Sequence, residues 1–228
     1  MKILFWGSTK QNSGPDNVNK AIIRNLTDAF YWPDSDNKML PSRGEIKKLL
    51  ESKVVVVSGL SRRGYVIELL AKILRKKLVF ILHGYFEIEA KINSVSNVGL
   101  GLMHERFLMK AADLILPVSR KCMYLMQAHC PQYADKMDYL YNGIEKDILL
   151  SVKPREKISG TVAAAGGYRK VKNNDVVSHV VENLDGKFVL NIYGTASKGE
   201  QHEKWKYTRH VKNIPHDLFL EQLSKTDI

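Results

Sequence analysis

The residues of this chain that could do chemistry sit where apolar runs stop. His83-Gly84 follows the apolar run 78–82, and Ser119 closes the run 113–118. In an open parallel sheet, ligands bind at the carboxyl edge of the strands. A histidine placed there can donate a hydrogen bond to a ligand hydroxyl or stabilise a charged intermediate. Ser119 occupies the same edge one strand further on. Arg169, Lys170 and Lys172 follow Gly166-Gly167. Cations in that position can clamp a diphosphate and stabilise a departing nucleotide; the plainer reading is a solvated turn. Gly14 lies in the loop Gly7-Ser8-Thr9-Lys10-Gln11-Asn12-Ser13-Gly14-Pro15, just before a helix start. Bare amides and the helix dipole favour an anion there, the alternative being an ordinary strand-to-helix turn. The loop is neither a G-x-G-x-x-G fingerprint nor a Walker loop. Glu87 and Glu89, with Glu105 further on, raise paired acid–base work as a lesser possibility. Cys122 and Cys130, eight apart in a helical stretch, read as free thiols, and no metal site is expected.

These residues need strands to carry them. Apolar runs at 2–6, 54–57, 78–82 and 113–118, with a short one at 139–141, read as strands. Continuous rather than alternating apolar character implies burial on both faces, hence a parallel sheet between helices. Helical periodicity fills the gaps: Val18, Ile22, Ile23 and Leu26; Val66, Leu69, Leu70, Ile73 and Leu74; Leu108, Met109 and Ala112. The polar, proline-containing stretch 151–157 reads as a linker. A second α/β pattern follows it, with strands at 161–165 and 188–193 and helices at 174–184 and 217–223. Val176, Val177, Val180 and Val181 are expected to point inward, and 226–228 to open another strand. The expectation is α/β: two Rossmann-like domains with parallel sheets, 1–150 and 151–228, the second incomplete.

Composition limits the rest. The 228 residues are 44% apolar and 26% charged, as in ordinary globular proteins. No apolar run is long enough to span a bilayer, and the first residues read as a buried strand rather than a signal peptide, so the expected location is cytoplasmic. The net charge of +11 is uneven. Residues 38–77 hold eleven basic groups and three acids, a surface suited to anionic partners. A solvated basic face, an anionic membrane surface at the inner face of the membrane, and nucleic acid all fit charge alone. There is no zinc spacing, aromatic RNA-binding signature or recognition helix, so no nucleic acid partner is expected.

In order, His83-Gly84, the run from Glu105 through Ala112-Asp113 to Val118-Ser119, Tyr141-Asn142-Gly143-Ile144-Glu145, and the Gly166–Lys172 segment resemble the retaining glycosyltransferases of the GT-B fold, family 4 (group 1). The resemblance implies two lobes, an acceptor-side N-terminal domain and a nucleotide-sugar-binding C-terminal domain, and transfer with retained configuration without a metal or other cofactor. It implies that Gly14 approaches the donor phosphate and that His83 contacts the transferred sugar. It gives Arg169 and Lys172 the diphosphate, and it has Asn142 and Gly143 shape the hinge side of the cleft. Ser119 is read as facing the substrate. The family's acidic Glu-x7-Glu segment is expected beyond Ile228.

The expected partners are therefore a nucleotide-sugar donor and a glycan or lipid-linked acceptor. An anionic membrane would be met through 38–77, and surface polysaccharide biosynthesis is the implied setting. A non-catalytic acceptor- or membrane-binding subunit, working with a partner transferase chain, is the alternative.

Overall fold

The computed structural model describes residues 2–10, 13–33, 40–143, 146–153, 155–194, 205–212 and 214–227. Lys38, Ile144, Glu145 and Ile228, and the side chains of Arg62 and Arg63, lie outside the described residues, so the readings placed on them stay with the sequence. The chain is α/β, with parallel sheets of Rossmann-like type. It divides into two compact units, Met1–Lys91 with Val95–Ile144, and Ile92–Ser94 with Glu145–Ile228.

The first unit alternates β1 (Ile3–Gly7), α1 (Gly14–Asn25), β2 (Ala29–Pro33), α2 (Arg43–Glu51), β3 (Val54–Ser58), α3 (Arg62–Ile73) and β4 (Lys77–Leu82). Then come α4 (Phe86–Ile92), α5 (Gly99–Ala111), β5 (Leu114–Pro117) and α6 (Arg120–His129). The strand order is β2-β1-β3-β4-β5, all parallel. The chain moves outward from β1 to β2, then crosses back to β3. The topological switch point therefore falls between β1 and β3, where the crevice of such sheets opens at the carboxyl ends. Leu4, Trp6, Val55, Val57, Leu78 and Phe80 are buried in the sheet, against Ile67 and Ala71 of α3 and Leu108 and Met109 of α5. The face of α3 differs from the helical reading. Leu69 and Ile73 are exposed, whereas Ile67, Glu68 and Ala71 are buried.

Two interactions clamp the start of β5 to β4. Asp113 N–H donates to the Leu78 carbonyl, and Leu78 N–H donates to Asp113 Oδ2, both at 2.8 Å. The Ala112-Asp113 pair thus has a structural task at the amino edge of the sheet. Residues 139–141 are not a strand. Asp138 and Leu140 N–H groups bond to the Ile115 and Pro117 carbonyls, so the segment runs beside β5 without forming a ladder.

In the second unit, α7 (Lys146–Ser151) precedes β6 (Thr161–Ala165), α8 (Asn174–Glu182), β7 (Val189–Tyr193), β8 (Thr208–Val211) and α9 (His216–Lys225). The three strands are parallel, in the order β6-β7-β8. Tyr168, Val181, Leu190 and Ile192 form its core. Val176 and Val180 are exposed, so α8 buries a narrower stripe than its valines suggest. Thr226 bridges Ile158 in parallel, and Asp227 N–H bonds to the Thr161 carbonyl, which sets residues 226–227 beside β6.

Candidate functional site

The switch point of the first sheet carries a hydrogen-bonded chain of side chains. Gly7 and Ser58 are register partners at the carboxyl ends of β1 and β3, and His83 follows β4 immediately. Ser58 Oγ lies 2.7 Å from His83 Nε2 and 2.6 Å from Asn19 Oδ1. Asn19, on α1, donates from Nδ2 to the Ser8 carbonyl at 2.8 Å. Asn19 and Ser58 are buried, and His83 is half-buried. Burial holds the His83 imidazole below its ordinary pKa, against the opposing charge of Asp16, so the ring is neutral at pH 7. Gly7 makes the close approach possible. A Cβ there would stand 2.8 Å from Asn19 Nδ2 and 3.2 Å from Ser58 Cβ.

The start of α1 is less open than bare amides would be. Ser13 and Asp16 form a capping box, with Asp16 Oδ2 accepting from Ser13 N–H and Ser13 Oγ–H. Pro15 brings no N–H, and Asp16 N–H is given to Ser13 Oγ. A buried carboxylate therefore already sits at this helix end. Among the described residues, nothing lies within 4 Å of where a Cβ on Gly14 would stand. Packing among the described residues thus gives no reason for glycine at this position.

The histidine loop is held from α5. Glu105 accepts N–H bonds from Phe86 at 2.7 Å and Glu87 at 3.1 Å, capping α4. Burial raises its pKa, partly offset by those two donors. Glu87 pairs with Lys91 and Arg106. Glu105 and Glu87 are thus accounted for by the cap and the surface of α4, whereas Glu89 Oε1 would lie 2.1 Å from a Cβ on Gly84. Ser119 is the N-cap of α6 and accepts from Cys122 N–H. Arg120 reaches Tyr139 with a hydrogen bond of 2.7 Å and a stacking distance of 5.0 Å. Asn142 and Gly143 are exposed and lie outside any helix or strand.

The second unit has its own strand-end loop. Gly166 and Gly167 N–H groups both donate to the Tyr193 carbonyl, at 2.8 and 3.0 Å. Gly194, at φ +140°, would place a Cβ 2.5 Å from Gly167 N. The ends of β6 and β7 therefore touch backbone to backbone, which only glycine permits. Buried Asn174 opens α8 and donates to the Gly167 carbonyl at 2.6 Å, closing the loop from beneath. On top of it Arg169 and Lys172 are exposed, and the Lys172 stem lies over Gly166. The loop thus offers a rigid backbone turn beside two solvent-facing cations at a sheet's carboxyl edge.

Sequence reasoning named His83, Arg169, Lys172 and Ser119 but not Asn19, Ser58 or Gly7. Ser58 was legible as the polar end of Val54-Val55-Val56-Val57, in the same position as the histidine one strand later. Among the described residues, no group of three or more His, Cys, Asp and Glu is placed to hold a metal ion. Among them, too, no helix is long and apolar enough to cross a membrane.

No protein-family model matches the chain, and no curated protein matches it by sequence. Solved structures do. The UDP-GlcNAc 2-epimerase of Methanocaldococcus jannaschii, in complex with UDP-GlcNAc and UDP, is 11% identical at a TM-score of 0.54. That match covers 100% of this chain and 78% of that one. Staphylococcus aureus MnaA with UDP is 11% identical at 0.52, covering 99% and 72%. The Neisseria meningitidis UDP-GlcNAc 2-epimerase bound to UDP-GlcNAc is 13% identical at 0.51, covering 99% and 76%. At such identities the likeness shows the fold alone, a GT-B-like pairing of Rossmann-like α/β units.

Proposed function

We propose that the chain works on a nucleotide sugar and transfers the sugar, with retention of configuration, to a glycan or lipid-linked acceptor in surface polysaccharide biosynthesis. The observation that carries this reading is the Gly166–Asn174 loop. Its glycines let the ends of β6 and β7 meet backbone to backbone in a tight turn at the carboxyl edge, and Arg169 and Lys172 stand beside that turn in solvent. That combination suits a diphosphate. His83, neutral and half-buried at the other unit's switch point, is assigned a hydroxyl of the sugar. Gly14 keeps its proposed approach to the ligand, on the ground that no described residue fills its Cβ space. Ser119, Asn142 and Gly143 complete the proposed substrate contacts. The domains are taken as 1–150 and 151–228. The exposed cations of 38–77 are assigned an anionic membrane at the inner face.

A second reading is epimerisation of a nucleotide sugar without an acceptor, favoured by the three structures of similar fold that carry UDP or UDP-GlcNAc. The deciding experiment is calorimetric titration of the chain with UDP, followed by NMR of UDP-sugars incubated with it. Arg169→Ala and Lys172→Ala should each weaken UDP binding about tenfold, the loss of one charge-assisted contact, without lowering thermal stability. UDP release that depends on added acceptor supports transfer, and a new sugar epimer without acceptor supports the second reading. If UDP binds no better to the wild type than to the double variant, the nucleotide-sugar reading is wrong.

A further inference from the structure

We infer that Asn19 and Ser58 are positioning residues that fix which ring nitrogen of His83 meets a ligand, keeping Nε2 protonated on the inner side and presenting Nδ1 as an acceptor. Proton counting along the chain leads there. Asn19 Nδ2 donates to the Ser8 carbonyl, which can only accept, so the amide orientation is settled and Oδ1 is the acceptor at its other end. Ser58 has one hydroxyl proton, and at 2.6 Å from Oδ1 it must point to Asn19, because no proton comes from that oxygen. Ser58 Oγ can then only accept from His83, so Nε2 must carry the proton across the 2.7 Å contact. In a neutral imidazole that leaves Nδ1 bare. Nδ1 makes no hydrogen bond to the described residues.

Two consequences follow. Ser58 is not a nucleophile activated by His83, since its proton already belongs to Asn19. The group that His83 reads must bring its own hydrogen, as a hydroxyl does. A phosphate oxygen facing Nδ1 would set lone pair against lone pair, unless the half-buried ring took up a second proton. The hydroxyl-bearing ligand rests on the proposed function; the tautomer does not.

The test is nitrogen-15 NMR of the full chain labelled at histidine, at pH 7.5, with His83→Gln identifying the His83 signals. Bare and protonated ring nitrogens resonate far apart. The expected pattern is protonated Nε2 and bare Nδ1, unchanged by saturating inorganic pyrophosphate. A bare Nε2, or a ring doubly protonated with or without pyrophosphate, overturns the inference. Asn19→Ala frees the Ser58 proton to turn toward Nε2, so an Nδ1–H population should appear, whereas Ser58→Thr, which keeps the hydroxyl, should hold the wild-type pattern. An Asn19→Ala protein whose His83 signals match the wild type also overturns it. If the tautomer is as stated but UDP-sugars neither bind nor react, the proposed function fails and the positioning role stands.

Discussion

Removing Asn19 and Ser58 separately and together should reveal one coupled unit. Ser58→Ala deletes the bond to Asn19 Oδ1 and the acceptor of His83 Nε2–H, at 2.6 and 2.7 Å. It strands the amide oxygen of a residue that is 2% exposed. A net bond is worth about 1 kcal/mol and a stranded buried acceptor costs about 1–3 kcal/mol, giving about 2–3 kcal/mol in total. Asn19→Ala loses the same 2.6 Å bond and the one to the Ser8 carbonyl, for about the same cost. With both residues gone, no Oδ1 is left stranded. The double variant should therefore cost about 3–4 kcal/mol rather than about 5, a coupling of about 1–2 kcal/mol. Native-state hydrogen exchange at the paired amides of β1 and β3 reads the first unit alone, whatever the second unit does. Costs that add to within about 0.5 kcal/mol would mean that the two side chains do not share the bond, and the proton-counting reasoning would fall with them.

Three further outcomes are expected. Asp113→Asn should cost about 1 kcal/mol at pH 7, since the side chain is 35% exposed and its pairs with Lys72 and Lys77 are screened. Burial opposes the charge on Asp113, but the Leu78 N–H and the two lysines outweigh it and lower the pKa. That stability is present above the unfolded carboxylate pKa, near 3.9, and is lost as pH falls through the lower folded value. Urea unfolding of the two proteins should therefore converge in acid. Glu68 is fully buried with Oε2 2.7 Å from His104 Nε2, while Oε1 has no partner among the described residues. Burial raises its pKa over the opposing His104 bond, so the wild type loses stability relative to Glu68→Gln as pH rises through that raised value. Glu68→Ala should cost about 3 kcal/mol at low pH, through the cavity and the stranded histidine, and less as pH rises through that same raised value. Finally, Gly194→Ala should destabilise the second unit by about 3 kcal/mol or more, from strain and overlap together, whereas Gly14→Ala should leave thermal melting unchanged.

The parts of the fold that were legible in the sequence are those buried on both faces. Val54-Val55-Val56-Val57 and the run 78–82 carry so much apolar side chain that no other element accommodates them. The two strands that escaped reading are edge strands. Ala29–Pro33 is five residues ending in proline, and Thr208–Val211 interleaves polar and charged residues. Thr208–Val211 therefore shows no apolar run, and Ala29-Phe30-Tyr31-Trp32, though apolar, runs straight into a proline, which argues against a strand. The site divides in the same way. His83 stands out because a strand end is a local feature. Its partners do not, because Ser58 is 25 residues away and Asn19 a further 39 from Ser58. Only the crossing back of the chain from β2 to β3 brings them to one edge. On α3, leucine spacing pointed to the wrong face because Glu68, bonded through Oε2 to His104, takes a buried position that an apolar count never assigns to an acid.

The excess of basic residues is a weaker guide to partners than its size suggests, because several lysines are engaged at the amino edge of the first sheet. Lys76 Nζ donates to the Leu50 and Ser52 carbonyls at the end of α2, both at 2.7 Å. Lys136 Nζ does the same for Lys110 and Ala112 at the end of α5, both at 2.8 Å. A cation there satisfies orphan carbonyls and complements the helix dipole. Burial, with Lys72 nearby, lowers the Lys136 pKa, the direction expected of a lysine drawn into the fold. Lys2 and Lys53 immediately precede β1 and β3, and Lys77 opens β4, at that same edge, linked by Lys53 N–H to the Lys2 carbonyl and Lys77 N–H to the Lys53 carbonyl. His83 stands at the opposite, carboxyl edge. The basic stretch of the sequence thus folds into two kinds of charge. One kind is consumed in capping and pairing, as with Lys76 and with Lys72 against Asp113. The other is solvent-facing, as with Lys47, Lys53 and Arg75. Only the second kind is free to attract an anionic surface, and any such surface met at the amino edge would lie across the sheet from the residues assigned to the sugar.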